Sequence, residues 1–229
     1  KIKKRLKKRC FRWCKGNPYA NRDPRLAMSI LTNNVEFKDR TIEAWTGGRD
    51  GKGVIHATRT GYYIYKFIDP NLDLLQNRTS VHHWVIMRYA EILLSYAEAM
   101  NEAYGPTGNV GYRLNAVRAL NQVRNRVGVE MPAVPTAISK EELREKIRNE
   151  RRVELAFEDH RFWDVRRWMI APETLGTPLR GVEITKISDE EFEYKPIEVE
   201  KRTFEPKMYL YPIPQADLNT TGWVQNPLW

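Results

Sequence analysis

The sequence predicts a mainly α fold: tetratricopeptide-like helix pairs set among long irregular loops, with little β structure. Three observations lead there. Apolar residues recur every three or four positions through residues 84–104, 114–127 and from Leu143 onward, the period of a helix with one buried face. Gly105-Pro106 and Gly128 stand where two of those stretches should stop, and Ser139 with Glu142 three residues later is a capping-box signature opening the third. The flanking segments, 17–83 and from Thr177 on, lack sustained periodicity and carry Gly, Pro and Asn in turn-forming clusters.

Taken in order, residues 1–16 are a basic tail. They hold nine Lys or Arg and no acid, which leaves 29 basic against 29 acidic side chains in the rest of the chain. The net charge of +9 therefore belongs to the tail and not to a folded surface, and no base-reading motif accompanies it, so no nucleic-acid partner is expected. Cys10 and Cys14 make half a metal site at most, with no further cysteine in the chain. No cofactor is expected.

Residues 26–31 read as one or two helical turns after the Pro-rich Asn17-Pro-Tyr-Ala-Asn-Arg-Asp-Pro-Arg25. Trp45-Thr-Gly-Gly-Arg-Asp-Gly-Lys-Gly53 is a Gly-rich loop without the spacing of a phosphate loop. Residues 60–68 read as a short strand, and His82-His83-Trp84 as a polar helix start. Residues 84–104 and the stretch ending at Gly128 form one helix pair. The helix opened by Ser139 and a shorter one over 162–169 form another, with Trp163 and Trp168 expected in the core. Residues 182–199 are β-capable, and the terminal segment bearing Trp223 and Trp229 is expected to pack down, since each ring left in water exposes a large apolar area.

The third helix is unusual. Its inward stripe begins with Leu143 and Ile147 but continues through Glu150, Arg151, Glu154 and Phe157, with Glu158, Arg161 and Asp164 following. Buried charges are costly unless paired and hydrogen-bonded. Carboxylates four apart beside His160 suit a hard metal or an acid/base pair. Against that, Arg148, Arg151, Arg152, Arg161, Arg166 and Arg167 surround these acids, and such cations would repel a metal. A structural ion-pair lattice of Glu150, Arg151, Glu154, Glu158, Arg161 and Asp164 is the expectation, with no catalytic and no metal residue.

Six segments stand in a telling order: Asn21-Arg-Asp-Pro-Arg25; Arg59-Thr-Gly-Tyr62 with Lys66; Arg88-Tyr-Ala-Glu91 through Asn101-Glu102; Leu120-Asn-Gln-Val-Arg-Asn-Arg-Val-Gly128; the run from Glu150 to Trp168; and Pro212-Ile-Pro214 with Gln225-Asn-Pro227. Together they resemble the SusD/RagB family, the glycan-binding outer-membrane lipoproteins of Bacteroidetes nutrient uptake. The resemblance covers residues 17–229 and implies the C-terminal portion of a SusD-like domain, with a lipid anchor expected outside this fragment. It implies non-enzymatic capture of an oligosaccharide or polysaccharide at the cell surface, and a SusC-like TonB-dependent transporter as partner. Competing readings are an α-helical glycoside hydrolase, which needs two carboxyls facing an open cleft, and a scaffold that docks the transporter without binding sugar. For the sugar, an exposed loop aromatic beside polar groups is the physical requirement. Trp45 with Arg49, Asp50 and Tyr62 is the candidate set.

Overall fold

In the computed structural model, residues 17–81 and 83–229 are described. The expectations for the basic tail, for Cys10 and Cys14 and for His82 fall outside those residues. The described helices are α1 (Arg25–Ser29), α2 (Tyr89–Tyr104), α3 (Ala116–Arg124), α4 (Lys140–Glu154), α5 (His160–Arg167), α6 (Ala171–Leu175) and α7 (Gln215–Thr221). The strands are short apart from one hairpin: β1 (Ile30–Leu31), β2 (Glu36–Phe37), β3 (Arg40–Thr41), β4 (Tyr63–Ile64), β5 (Leu179–Lys186) and β6 (Phe192–Glu200). The fold is thus mainly α. Among the described residues no helix is long and apolar enough to cross a membrane.

The chain forms two compact units. The helical unit comprises Asp23–Ile30, Ile64–Leu179 and Glu198–Trp229. Its core joins α2, α3 and α4. Leu93, Leu94, Ala97 and Met100 of α2 meet Ala116, Val117, Ala119, Leu120 and Val123 of α3, with Leu143 and Ile147 of α4 closing the cluster. The alanines matter because small side chains let helix axes approach closely. The ends of these helices are fixed chemically. Ser139 Oγ accepts from Glu142 N (3.1 Å) and the Glu142 carboxylate accepts from Ser139 N, a complete capping box. Asn121 pins the loop after α3 by accepting from Val134 N (2.8 Å) and donating to Val134 O (2.9 Å).

Several boundaries differ from the sequence reading. The first long helix starts at Tyr89, not Trp84, because Arg88 stands extended (φ −145°) as the N-cap residue and sends its guanidinium to α4. His83 and Trp84 therefore precede the helix and do not open it. α3 ends at Arg124, so Val127 is exposed; the turn is closed by Gly128 at φ +82°, a conformation a side chain resists. The stripe on α4 stops at Glu154, with Leu155 as the C-cap residue, so Phe157 is not its continuation and lies 39% exposed at φ +64°. Trp163 is 58% exposed and is no core residue, since α5 presents that face outward. Trp168 does pack down, donating its indole N–H to Glu98 (2.7 Å). At the C-terminus Trp229 is tied by its indole N–H to Lys207 O and Leu210 O, but Trp223 is 62% exposed, contrary to the area argument.

The second unit comprises residues 17–22, Leu31–Tyr63 and Arg180–Ile197. Here β2 and β3 make a two-residue antiparallel ladder, Glu36 opposite Thr41 and Phe37 opposite Arg40, and β5 pairs with β6. The strand expected over 60–68 is only Tyr63–Ile64, because the residues before it form turns around Thr60. The core is small: Leu31, Ile42, Ala44, Val182, Ile184 and Phe192.

Candidate functional site

Two constellations carry polar chemistry. The first lies in the helical unit, where α4 offers its buried acids. Glu150 accepts from Arg25 (2.6 Å) and Arg124 (2.6 Å). Glu154, fully buried, accepts from Arg25 (2.8 Å), Arg88 (2.7 Å) and Arg126. Glu158 accepts from Arg88 (2.7 Å) and from Lys66 Nζ (2.5 Å). Arg88 and Lys66 also donate to the backbone carbonyl of Glu154, at the negative end of α4, where cations are favoured.

The protonation preferences follow. Burial pushes the Glu154 carboxyl up, but hydrogen bonds from Arg126, Arg88 and Arg25 outweigh it and hold the group at about 2. Glu158 behaves alike: burial raises it and Arg88 with Lys66 bring it below the ordinary carboxylate range. The guanidinium of Arg25 is lowered by burial and raised further by Asp23, Glu150 and Glu154, so it stays charged.

A second tier sits beside this one. Arg151 donates to Asp164 (2.8 Å) and Ser95 (3.0 Å), Arg167 grips Glu98 through both Nη atoms (2.6 and 2.7 Å), and Asp164 also accepts from Arg167 (2.9 Å). A cleft of about 490 Å³ opens here, lined by Glu91, Glu98, Arg151, His160, Trp163 and Arg167 among others, with His160 Nε2 3.5 Å from Glu91 Oε2.

The structure thus brings Glu150, Glu154 and Glu158 together, and Arg151 with Asp164, but Arg161 joins neither group. Among the described residues Arg161 has no ion pair. The cations on Glu150 and Glu154 of α4 and on Glu158 beyond it are also not the neighbouring arginines of the same segment. They come from Arg25, Lys66, Arg88, Arg124 and Arg126, 26 to 129 positions away in sequence. A signal for them existed. Each stands inside one of the ordered segments already singled out: Asp23-Pro24-Arg25, Lys66 beyond Tyr62, Arg88 before Tyr89, and Arg124-Asn125-Arg126.

The second constellation is aromatic and lies in the other unit. Trp45, Arg49 and Asp50 share one loop, folded tightly because Gly51 passes so close to Trp45 O that a Cβ would sit 2.0 Å from it. The half-buried Trp45 ring rests on Phe192 (5.4 Å between centroids) with Lys186 Nζ 5.2 Å from its centre. Phe192 approaches Tyr194 (6.5 Å), Tyr194 meets Tyr19 edge-on (5.5 Å), and Tyr19 meets Tyr62 edge-on (6.2 Å). A run of five rings therefore links Trp45 to Tyr62. Burial pushes the Tyr62 hydroxyl above its ordinary range. Asp50 is engaged: both oxygens accept from Arg40 (2.6 and 2.8 Å) and one from Glu43 N, and the Arg40 hydrogen bonds draw its carboxyl below the usual range. Arg49 holds Glu43 through its backbone N–H and leaves its side chain exposed. Phe192 and Tyr194 escaped the sequence reading, although two aromatics two apart on a strand share one face.

Comparison with known proteins places these constellations in context. The model of the SusD family matches residues 16–229. A SusD-like protein of Bacteroides fragilis has a similar structure, with a TM-score of 0.75 at 33% identity over 93% of this chain and 40% of its own. A SusD-like carbohydrate binding protein from the same species gives a TM-score of 0.67 at 31% identity, over 91% of this chain and 42% of its own. SusD-like protein P2 of Formosa agariphila is 34% identical over 120 residues, 50% of this chain and 22% of its own length. The chain thus spans well under half the length of the relatives it matches.

Proposed function

The chain belongs to the SusD family, and from that premise we propose that it captures a glycan without catalysis, at the outer surface of a bacterial outer membrane. A TonB-dependent transporter of the SusC type is the partner in this reading, and a lipid anchor holds the complete protein to the membrane. One observation carries the non-catalytic half. Each of the three buried carboxylates on α4 and beyond it accepts from two or three cations, and Glu154 is held at about 2. A general acid needs a carboxyl that is protonated near neutral pH, and a nucleophile needs free access to a sugar ring. Saturated, buried acids supply neither.

The aromatic run supports the capture half. Pyranose rings stack their C–H faces on aromatic faces, and the nearby polar groups take the hydroxyls. Trp45 is the stacking residue in this reading, with Arg49 and Tyr62 as polar neighbours. Asp50 shapes the loop through Arg40 and reaches the sugar only with oxygen lone pairs left over. Calorimetry of the full chain against neutral and acidic oligosaccharides, run beside an assay for reducing-end release, tests both halves. Binding without release is expected, and Trp45→Ala should weaken it by about tenfold. Sustained release that Glu154→Gln abolishes would overturn the reading in favour of a hydrolase, and no binding by any sugar would leave the docking scaffold.

A further inference from the structure

The helical unit pairs its buried acids thoroughly, and Arg161 lies outside that pairing beside a cleft. Arg161, half-buried on the first turn of α5, has no carboxylate partner among the described residues. Burial and the like charge of Arg152 both weaken the hold of its guanidinium on the proton, and Asp164 alone works against them. Asp164 attracts it only at a distance, its two oxygens being engaged at close range by Arg151 and Arg167. Arg152 is likewise in no ion pair among the described residues. A cleft of about 520 Å³ opens at Arg161, lined by Leu155, Phe157, Asp159, Arg161, Phe162 and Trp163.

The lining is amphipathic in a specific way. Phe157, Phe162 and Trp163 are all at least 38% exposed, three aromatic side chains within seven residues on a surface whose core positions are otherwise filled. Phe162 and Trp163 meet edge to face at 5.2 Å, which fixes their orientation. Phe157 and Asp159 both hold left-handed backbone, φ +64° and +62°, a conformation that costs a bulky residue such as Phe157 free energy. The Asp159 carboxylate caps no helix N–H group, so its acceptors are unspent by α5.

We propose that this cleft binds an anionic sugar unit, a uronate, with its carboxylate on Arg161, its ring on Trp163 and its hydroxyls on Asp159. A planar guanidinium takes a planar carboxylate through two parallel N–H···O bonds, and the pair is strong where water is partly excluded. The positive charge of Arg152 adds to the attraction. A neutral sugar offers the guanidinium only hydroxyl oxygens and no opposite charge, so the site discriminates by charge. The inference rests on the capture reading for the class of ligand, but its residues are separate from the Trp45 loop.

The test is calorimetry of the full chain with tetrasaccharides of galacturonate, glucuronate and mannuronate, each against its neutral counterpart. At least one uronate is expected to bind about tenfold or more tighter than its neutral partner, with the difference shrinking as salt rises. Arg161→Met should remove that preference and Arg161→Lys should keep part of it, while the affinity for neutral sugars stays where it was. Should Arg161→Met fail to melt cooperatively, Trp163→Ala provides the second variant, expected to weaken uronate binding at unchanged salt dependence. Absence of binding by all three uronates, or a uronate affinity untouched by both Arg161→Met and Trp163→Ala, overturns the proposal. Binding of neutral sugars alone defeats only this inference; binding of none defeats the capture reading with it.

Discussion

α3 and α4 face the same core with the same period and solve the burial problem in opposite ways. The inner face of α3 is Ala116, Val117, Ala119, Leu120 and Val123, which need only to be apolar and of fitting size. α4 starts likewise with Leu143 and Ile147 and then buries Glu150, Arg151 and Glu154. An apolar face is satisfied by whatever packs on it, so α3 tolerates any neighbour of the right shape. A charged face specifies its neighbours one by one. α4 therefore dictates where α1, the residues before α2, the last residue of α3 and the loop after it must lie, because each brings a guanidinium to a fixed carboxylate oxygen. That is a device for positional specificity more than for stability, since a well-packed apolar replacement of a whole buried network can be equally stable.

The contrast can be broken at either helix. The largest effect is expected from Glu154→Leu, which strands Arg126 and takes one partner each from Arg25 and Arg88, and should cost about 3–5 kcal/mol. Urea or thermal unfolding measures it, and an unmoved midpoint would mean that the three cations find water. Leu120→Ala on α3, a cavity in a fully apolar setting, should cost about 3 kcal/mol, without altering the pH dependence of stability.

pH sharpens the comparison, because only one of the two helices titrates. The folded-state pKa values of Glu154 on α4, of Glu158 just beyond it and of Glu98 on α2 all lie below the ordinary carboxylate range. Groups of that kind stabilise fully above their unfolded values, near 4.5, and the contribution is lost as pH falls through the folded ones, about 2 for Glu154. Unfolding midpoints should therefore drop between pH 5 and 2 in the wild type and in Leu120→Ala by similar amounts, and by visibly less in Glu154→Leu. Parallel curves for all three would place the acid sensitivity elsewhere.

What the sequence disclosed follows the same division. The face of α3, the capping box at Ser139 and the inward direction of Glu150, Arg151 and Glu154 were all legible, because each depends on neighbours within about four residues. The partners of the acids were not, because Arg25 and Glu154 are 129 positions apart and nothing local pairs them. Local arginines such as Arg161 looked equally suitable by composition and turned out to point elsewhere. Boundaries slipped for a related reason: Arg88 keeps its backbone extended to reach Glu154 and Glu158, overriding a periodicity that extends back to Trp84. In the second unit the Trp45 loop was visible as a Gly-rich aromatic turn. The rings that continue it, Phe192, Tyr194 and Tyr19, come from both sides of a long stretch of sequence and needed the strand pairing to meet.

The most direct test of the brace is a double-mutant cycle between Glu150 and Arg124, whose Oε2 and Nη1 lie 2.6 Å apart. With Glu150→Gln, Arg124→Met and the double variant unfolded in urea at pH 7, the pair should show a coupling of about 0.5–3 kcal/mol that persists in high salt. Strictly additive losses, or a coupling that salt erases, would mean the two charges meet at a solvated surface and that α4 does not choose its neighbours.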